Sequence, residues 1–538
     1  MKNAVIATLL LLLTLGLAAG CTGFRLPGRS AATSGPLTSY RAAMAPSQQG
    51  LLDTLAPMPD YQITVRVDPA ELSLTGRMTV QVPAQPDGAV PSEFYFRLYP
   101  LLTHYSGRMG VDLVTVNGRG APFSYEASDT AVKVVVPPDA VQPGQPVTIG
   151  MQWRLKAQDF PEDTYHLFGS SGGVLSLPLF YPVLAVNDPG APEPWRLDLG
   201  QVQGDSAFAQ AATYQVTVTV PSTYTVVSTG SVVEVKDAPA PTPEPDASSE
   251  QDPAATPQPA PPWKAWRMIS GPAREFALFI GDQLQQAQAN AGEVRVNSWY
   301  RPGDEATGRA TAEYAAAALR VYSELFGPYP YAELDVVPGP LIFRGMEYPG
   351  LFELGFKLYR ENADELEFRV AHEMAHQWWY NQVGSDPVNS PWLDEGLAEF
   401  ATYFYTQKIN GPATAERMAK RRWEAAYQFT VERGQDAVVN QPVNAFEANY
   451  EPIVYGKAAL FHYTLMQAMG EDKYLELLRR YVETYRFKEA GPDDFLRLAE
   501  EQAGPIAREL YDQWILGSDS TAAPAESTNA APEQAGSQ

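Results

Sequence analysis

The chain has 538 residues and a formal net charge of −24, with 63 Asp and Glu against 39 Lys and Arg. That balance argues against a nucleic-acid partner, whose binding rests on clustered Lys and Arg, and against docking on anionic lipid through a basic face. The length suggests two or more domains, and the single cysteine excludes an intrachain disulfide.

Residues 1–20 read as a secretory signal: Lys2 supplies a short positive region, and 4–19 is an uncharged, largely apolar run too short for a typical membrane span. Cys21 follows Leu17-Ala18-Ala19-Gly20, which resembles a bacterial lipobox, so Cys21 is the expected lipid-attachment residue. Residues 21–50, rich in Ser, Gly, Thr, Ala and Pro, are expected to be a flexible tether to the membrane.

From Tyr61 the pattern becomes strand-like. Apolar and polar residues alternate over 61–67 and 77–82, and short β-rich runs follow at 94–98, 132–136, 147–153 and 214–220, separated by turn residues. An antiparallel, sandwich-like β domain over 51–298 is expected. The Pro/Ala/Asp/Glu-rich stretch 237–262 interrupts it. Strand-like runs on both sides make it a disordered insertion rather than a domain linker. From Glu305 the period changes. Tyr314, Leu319, Tyr322 and Leu325 recur at helical spacing up to Gly327-Pro328, and further helices are expected near 457–469, 473–485, 494–502 and 506–516. The second domain is therefore 299–516, mainly helical with a small sheet, and 517–538 is a polar disordered tail.

Within that domain stands His372-Glu373-Met374-Ala375-His376. On a helix, residues four apart share a face, so both imidazoles can reach one ion, while Glu373 sits beside them, free to take a proton from water. Only five histidines occur in the chain, and two fall in this pattern. A catalytic zinc site takes three protein ligands. A second helix is expected downstream with Ser390 as N-cap and Pro391 as its first residue; Glu395, one turn in and separated from His376 by eighteen residues, is the third ligand.

His372-Glu373-x-x-His376 followed by Glu395 within Trp392-Leu393-Asp394-Glu395-Gly396 resembles the aminopeptidase N family of zinc metallopeptidases, in the gluzincin clan. Arg344-Gly345-Met346-Glu347-Tyr348-Pro349-Gly350 is similar to the family's G-A-M-E-N element, with Arg344 and Tyr348 in place of its Gly and Asn. The segment Tyr450 to Lys457 resembles the family's catalytic-tyrosine segment. The resemblance covers roughly residues 55 to 516. It implies an α+β multidomain fold: an N-terminal saddle-shaped β domain, then a thermolysin-like catalytic domain. The family's acidic substrate segment is not found ahead of Arg344; Phe180 to Leu184 followed by Asn187-Asp188-Pro189 occupies the comparable region.

The resemblance also implies a function: a zinc aminopeptidase, one ion on His372, His376 and Glu395, Glu373 as general base, and Tyr455 (or, as an alternative, Tyr450) as donor to the oxyanion. Gly345, Met346 and Glu347 would bind substrate, with Glu347 pairing to the free ammonium of a peptide. Glu399 would either support a ligand imidazole or decorate a helix face, and His462 would be core or support. Competing readings are a related zinc hydrolase, such as an endopeptidase or epoxide hydrolase, and an inactive peptide-binding surface lipoprotein. The expected setting is the periplasmic or outer face of a membrane.

Overall fold

Alternation in the N-terminal half produces the expected strands. Asp60–Asp68 turns Tyr61, Ile63, Val65 and Val67 inward, and Ser73–Val82 pairs with it in antiparallel register, Ile63 opposite Met78. The computed structural model describes residues 37–191, 193–198, 204–240, 262–361 and 363–517. The expected signal, Cys21 and the tail after 517 lie outside these residues, as does most of the insertion. On either side of it, Ser231–Ala238 and Trp263–Ala273 pair antiparallel, so the β domain resumes directly after it.

The β domain contains an eight-stranded sheet and two four-stranded sheets. The large sheet is antiparallel except where Asp60–Asp68 runs parallel to Ala212–Pro221. The inner faces of the sheets enclose one core that includes Trp153, Phe96, Val218 and Phe279, each fully buried. Phe180, Tyr181 and Val183 belong to this core, so the segment in the family's acidic position supplies packing, not ligands.

Two domain bounds differ from expectation. The tether does not extend to residue 50: Leu37–Ala43 and Pro46–Asp53 are short 3₁₀ turns that bury Tyr40, Met44 and Leu52 in the second core. Their backbone joins the catalytic domain, Ala45 N–H to Pro330 O at 3.0 Å and Ala332 N–H to Ala43 O at 3.0 Å. Three large apolar side chains in a polar stretch are enough to dock it. The second bound lies ahead of Gln285, not at residue 298. Strands β1 (Gln285–Ala291) and β2 (Val294–Tyr300) form a hairpin whose second strand pairs parallel with β3 (Glu333–Gly339). The hairpin reads locally like more β domain, and only its long-range partner assigns it.

The catalytic domain's five-stranded sheet runs β1-β2-β3-β5-β4, where β4 is Gly345–Tyr348 and β5 is Leu351–Gly355. Among the described residues β4 pairs only with β5 and is an edge strand. Helix α1 (Glu305–Phe326) ends at Gly327, whose φ of 109° is costly for any side-chain-bearing residue. Its buried face, Leu319, Tyr322 and Phe326, meets Trp378 and Trp379 just beyond helix α2 (Ala363–Ala375). Helix α3 (Trp392–Asn410) follows, and the remaining helices close the core behind it. Ser390 is not its N-cap: Pro391 holds that place, and Ser390 Oγ donates to Asn440 Oδ1 at 3.3 Å.

Candidate metal centre and substrate cleft

Helix α2 ends just before His376, and α3 crosses it with Glu395 in its first turn. His372 Nε2, His376 Nε2 and Glu395 Oε2 are mutually 3.3 Å apart. All three residues are buried. Zinc takes N and O ligands at about 2.0–2.2 Å in a tetrahedron, and a tetrahedron with arms of about 2.0 Å has edges of about 3.3 Å. The three donors therefore occupy three corners of such a site and leave the fourth to solvent or substrate.

Each imidazole is oriented from behind. His376 Nδ1–H donates to the Trp379 carbonyl at 3.1 Å, and a carbonyl only accepts, so Nε2 carries the lone pair. Glu399 Oε2 lies 3.1 Å from His372 Nδ1, close enough for charge attraction though off hydrogen-bond geometry. Glu399 is held in turn by Trp423 Nε1–H at 2.9 Å and by Arg422, whose Nε lies 3.7 Å away. Burial alone would lower the His372 pKa, but Glu395 and Glu399 outweigh it and raise it to about 9. A donor set this negative favours a cation. The Tyr455 hydroxyl donates to the other Glu395 oxygen, Oε1. Tyr455 sits on a π turn, Pro452–Lys457, a helical distortion that recurs at functional sites.

Glu373 points the other way, toward β4. A Cβ on residue 345 would meet Glu373 Oε1 at 2.2 Å, so Gly345 makes room for this carboxylate as well as for substrate. Arg369 Nη1 is 3.8 Å from the same oxygen. Burial raises the Glu373 pKa, while His372 and Arg369 pull it down. Glu347 is 4% exposed, with Oε1 3.8 Å from His376 Nδ1. Glu347, Glu373 and His376 form a second trio of possible metal ligands. It shares His376 with the first, and the Nδ1 nearer Glu347 is already committed to Trp379.

Sequence reasoning missed Asp205. This acid, in the segment leading to Ala212–Pro221, hydrogen-bonds Glu347. Burial raises both carboxyls: Asp205 to about 6, Glu347 well above the carboxylate range, with their mutual repulsion adding to Glu347. The pair is best described as sharing one proton, donated by Glu347. No motif marks Asp205, since its partner is remote in sequence and only the packing of the two domains joins them. Tyr450 is buried against Tyr455, with its hydroxyl beside Gly204. His462 is a core residue: it accepts from or donates to Tyr474 OH at 2.9 Å, and burial lowers its pKa to about 3.

His372, Glu373, His376, Glu395, Glu347 and Asp205 line one cleft of about 620 Å³. Met346, Tyr165, His166 and Leu167 of the β domain, and Tyr450 and Tyr455 also line it. Its size suits a few residues of peptide.

The Peptidase family M1 domain matches residues 310–514. Both imidazoles, Glu373, Glu395, Tyr455 and the Glu347 strand fall inside the matched residues, whereas Asp205 lies outside them. Over 262 residues the chain is 26% identical to "Aminopeptidase M1-B" of Oryza sativa subsp. japonica, covering 44% of this chain and 29% of that protein. It is 30% identical over 268 residues to "Aminopeptidase RNPEPL1" of Homo sapiens, covering 45% and 35%. The chain thus spans about a third of the length of these curated relatives. Among solved structures, an M1 zinc metallopeptidase from Deinococcus radiodurans superposes with a TM-score of 0.61 at 20% identity, over 85% of this chain and 93% of that one. That likeness covers the β domain and the M1 domain together and shows a shared two-domain fold.

Proposed function

We propose that this protein is a zinc-dependent aminopeptidase that removes residues from peptides with a free N-terminus. The observation that carries the reading is the placement of a carboxyl pair, buried Glu347 and half-buried Asp205, beside the His372–His376–Glu395 donor set. A carboxyl pair placed there suits the ammonium of a free N-terminus. The aminopeptidase names of the relatives support the same choice.

His372, His376 and Glu395 would hold one zinc ion. When bound, zinc supplies a Lewis acid that polarises a carbonyl and lowers the pKa of water. Glu347 and Asp205 hold the substrate ammonium, which takes the place of their shared proton and fixes the first peptide bond near the donor set. Glu373 accepts a proton from the attacking water at a carboxylate oxygen and returns it to the leaving amine. The Tyr455 hydroxyl, which donates to Glu395, is the donor available to the developing oxyanion.

A panel of aminoacyl fluorogenic amides, run with chelator and after zinc is restored, tests the reading. Turnover should vanish with chelator and return with zinc. Turnover unaffected by chelator would overturn it. We further propose that the mature chain is exported and anchored through lipid on Cys21. The support is sequence alone: Lys2, the apolar run and the Cys21 junction. Unchanged membrane fractionation of Cys21→Ser would refute the anchor.

A further inference from the structure

Strand β4 has one free edge, and its two ends differ. At the Tyr348 end the chain is closed: Tyr348 is 1% exposed, its carbonyl accepts from Gln377 Nε2 at 3.0 Å, and Gly350 N–H donates to Gln377 Oε1 at 2.9 Å. At the other end Phe343 and Arg344 are exposed, the Arg344 side chain at 58%. A peptide added to this edge with its ammonium on Glu347 can therefore run only toward Arg344, antiparallel to β4. Residues advance about 3.3 Å each along a strand, so Arg344 lies about 10 Å beyond Glu347. A peptide of three residues spans about the same length.

Arg344 stands at that point as the cleft's available cation. Its guanidinium pairs with Glu451, in the segment that carries Tyr450 and Tyr455, and both side chains are more than half exposed. The cleft's other arginine, Arg369, is 3.8 Å from Glu373 and commits its charge there. An exposed ion pair such as Arg344–Glu451 is weak and exchanges readily. A carboxylate arriving from substrate presents the same bidentate acceptor that Glu451 offers, already fixed in place by the ammonium at the other end.

We propose that Arg344 reads the C-terminal carboxylate of short peptides by exchanging it for Glu451, so that the preferred substrates are peptides of about three residues with both termini free. This rests on the aminopeptidase reading and deepens it. Longer peptides pass Arg344 with a neutral amide and receive no such contact. Glu451 acts as a stand-in for the carboxylate when the cleft is empty, keeping Arg344 across the opening.

The test compares kcat/KM for trialanine with that for trialanine amide, measured as a ratio within each variant. In the wild-type chain the free acid should be favoured on the order of tenfold, the range of a charge-assisted hydrogen bond. Arg344→Gln should bring the ratio to about one, Arg344→Lys should keep part of it, and Glu451→Gln should raise it by removing the competitor. A wild-type ratio near one, or a ratio that survives Arg344→Gln, would overturn the assignment. If the zinc-loaded chain cleaves aminoacyl arylamides but ignores the C-terminal charge, this inference alone fails. If it cleaves no free-amine substrate, the aminopeptidase reading fails and takes this inference with it.

Discussion

The carboxyl pair makes Glu347→Gln an informative substitution. In the empty cleft burial keeps Glu347 protonated and donating to Asp205, while Asp205, raised only to about 6, is ionised at neutral pH. Glutamine reproduces the shape and the donor of that protonated acid, so the empty site should hardly change. The difference emerges when an ammonium arrives. Glu347 can then release its proton and become a second anion for the ammonium; glutamine cannot. Hydrogen bonds to a charged partner are worth about 1.5–3 kcal/mol, so kcat/KM on a free-amine substrate should fall roughly ten- to a hundredfold. An N-acetylated substrate, already poor, should lose little more, and bound zinc should be unchanged because Glu347 is no ligand in the 3.3 Å donor triangle. Equal losses on both substrates with zinc retained would refute the ammonium role and leave Glu347 a structural or chemical one.

Because Asp205 must be anionic to hold an ammonium, kcat/KM on free-amine substrates should fall as pH drops through about 6, and Asp205→Asn should erase that limb; a limb unchanged in the variant contradicts the assignment. His372→Ala, His376→Ala and Glu395→Ala should lose zinc, whereas Glu373→Gln should keep it and lose most turnover. Trp423→Phe, which frees Glu399 behind His372, should weaken zinc by about tenfold or more in a chelator competition, and an unchanged affinity would show that Glu399 needs no such support. Glu353 is buried with Ser176 Oγ as its donor at 2.8 Å, and burial raises it to about 8. Its folded pKa thus exceeds the unfolded value of about 4.3, so the stability it confers is present at low pH and is lost as pH rises toward 8. Glu353→Gln should flatten the decline in Tm between about pH 5 and 8; an identical slope in both proteins would refute this.

Local pattern carried much of the architecture. The alternation at 61–67, the helical spacing ending at Gly327 and the His372–His376 spacing all became the elements they suggested, because each depends on neighbours within one turn or one strand. What sequence could not show depends on distant partners. The hairpin of β1 and β2 joins the catalytic sheet through β3, and residues 37–53 dock on a core assembled mainly from the catalytic domain. Asp205 reaches Glu347 only because two domains pack together. Gly345, assigned from sequence to substrate binding, has Glu373 as the nearest group its missing side chain accommodates. The N-cap assigned to Ser390 failed because Asn440 offers that hydroxyl another partner.

The central claim is that Glu347 and Asp205 fix a free ammonium so that only the first peptide bond reaches Glu373 and the donor triangle. The most direct measurement is a mass-spectrometric time course on one hexapeptide, supplied with a free and with an acetylated N-terminus, incubated with the zinc-loaded chain. The account predicts a ladder that shortens from the N-terminus one residue at a time for the free peptide, and an intact acetylated peptide. Internal cleavage products, or comparable digestion of the acetylated peptide, would contradict it.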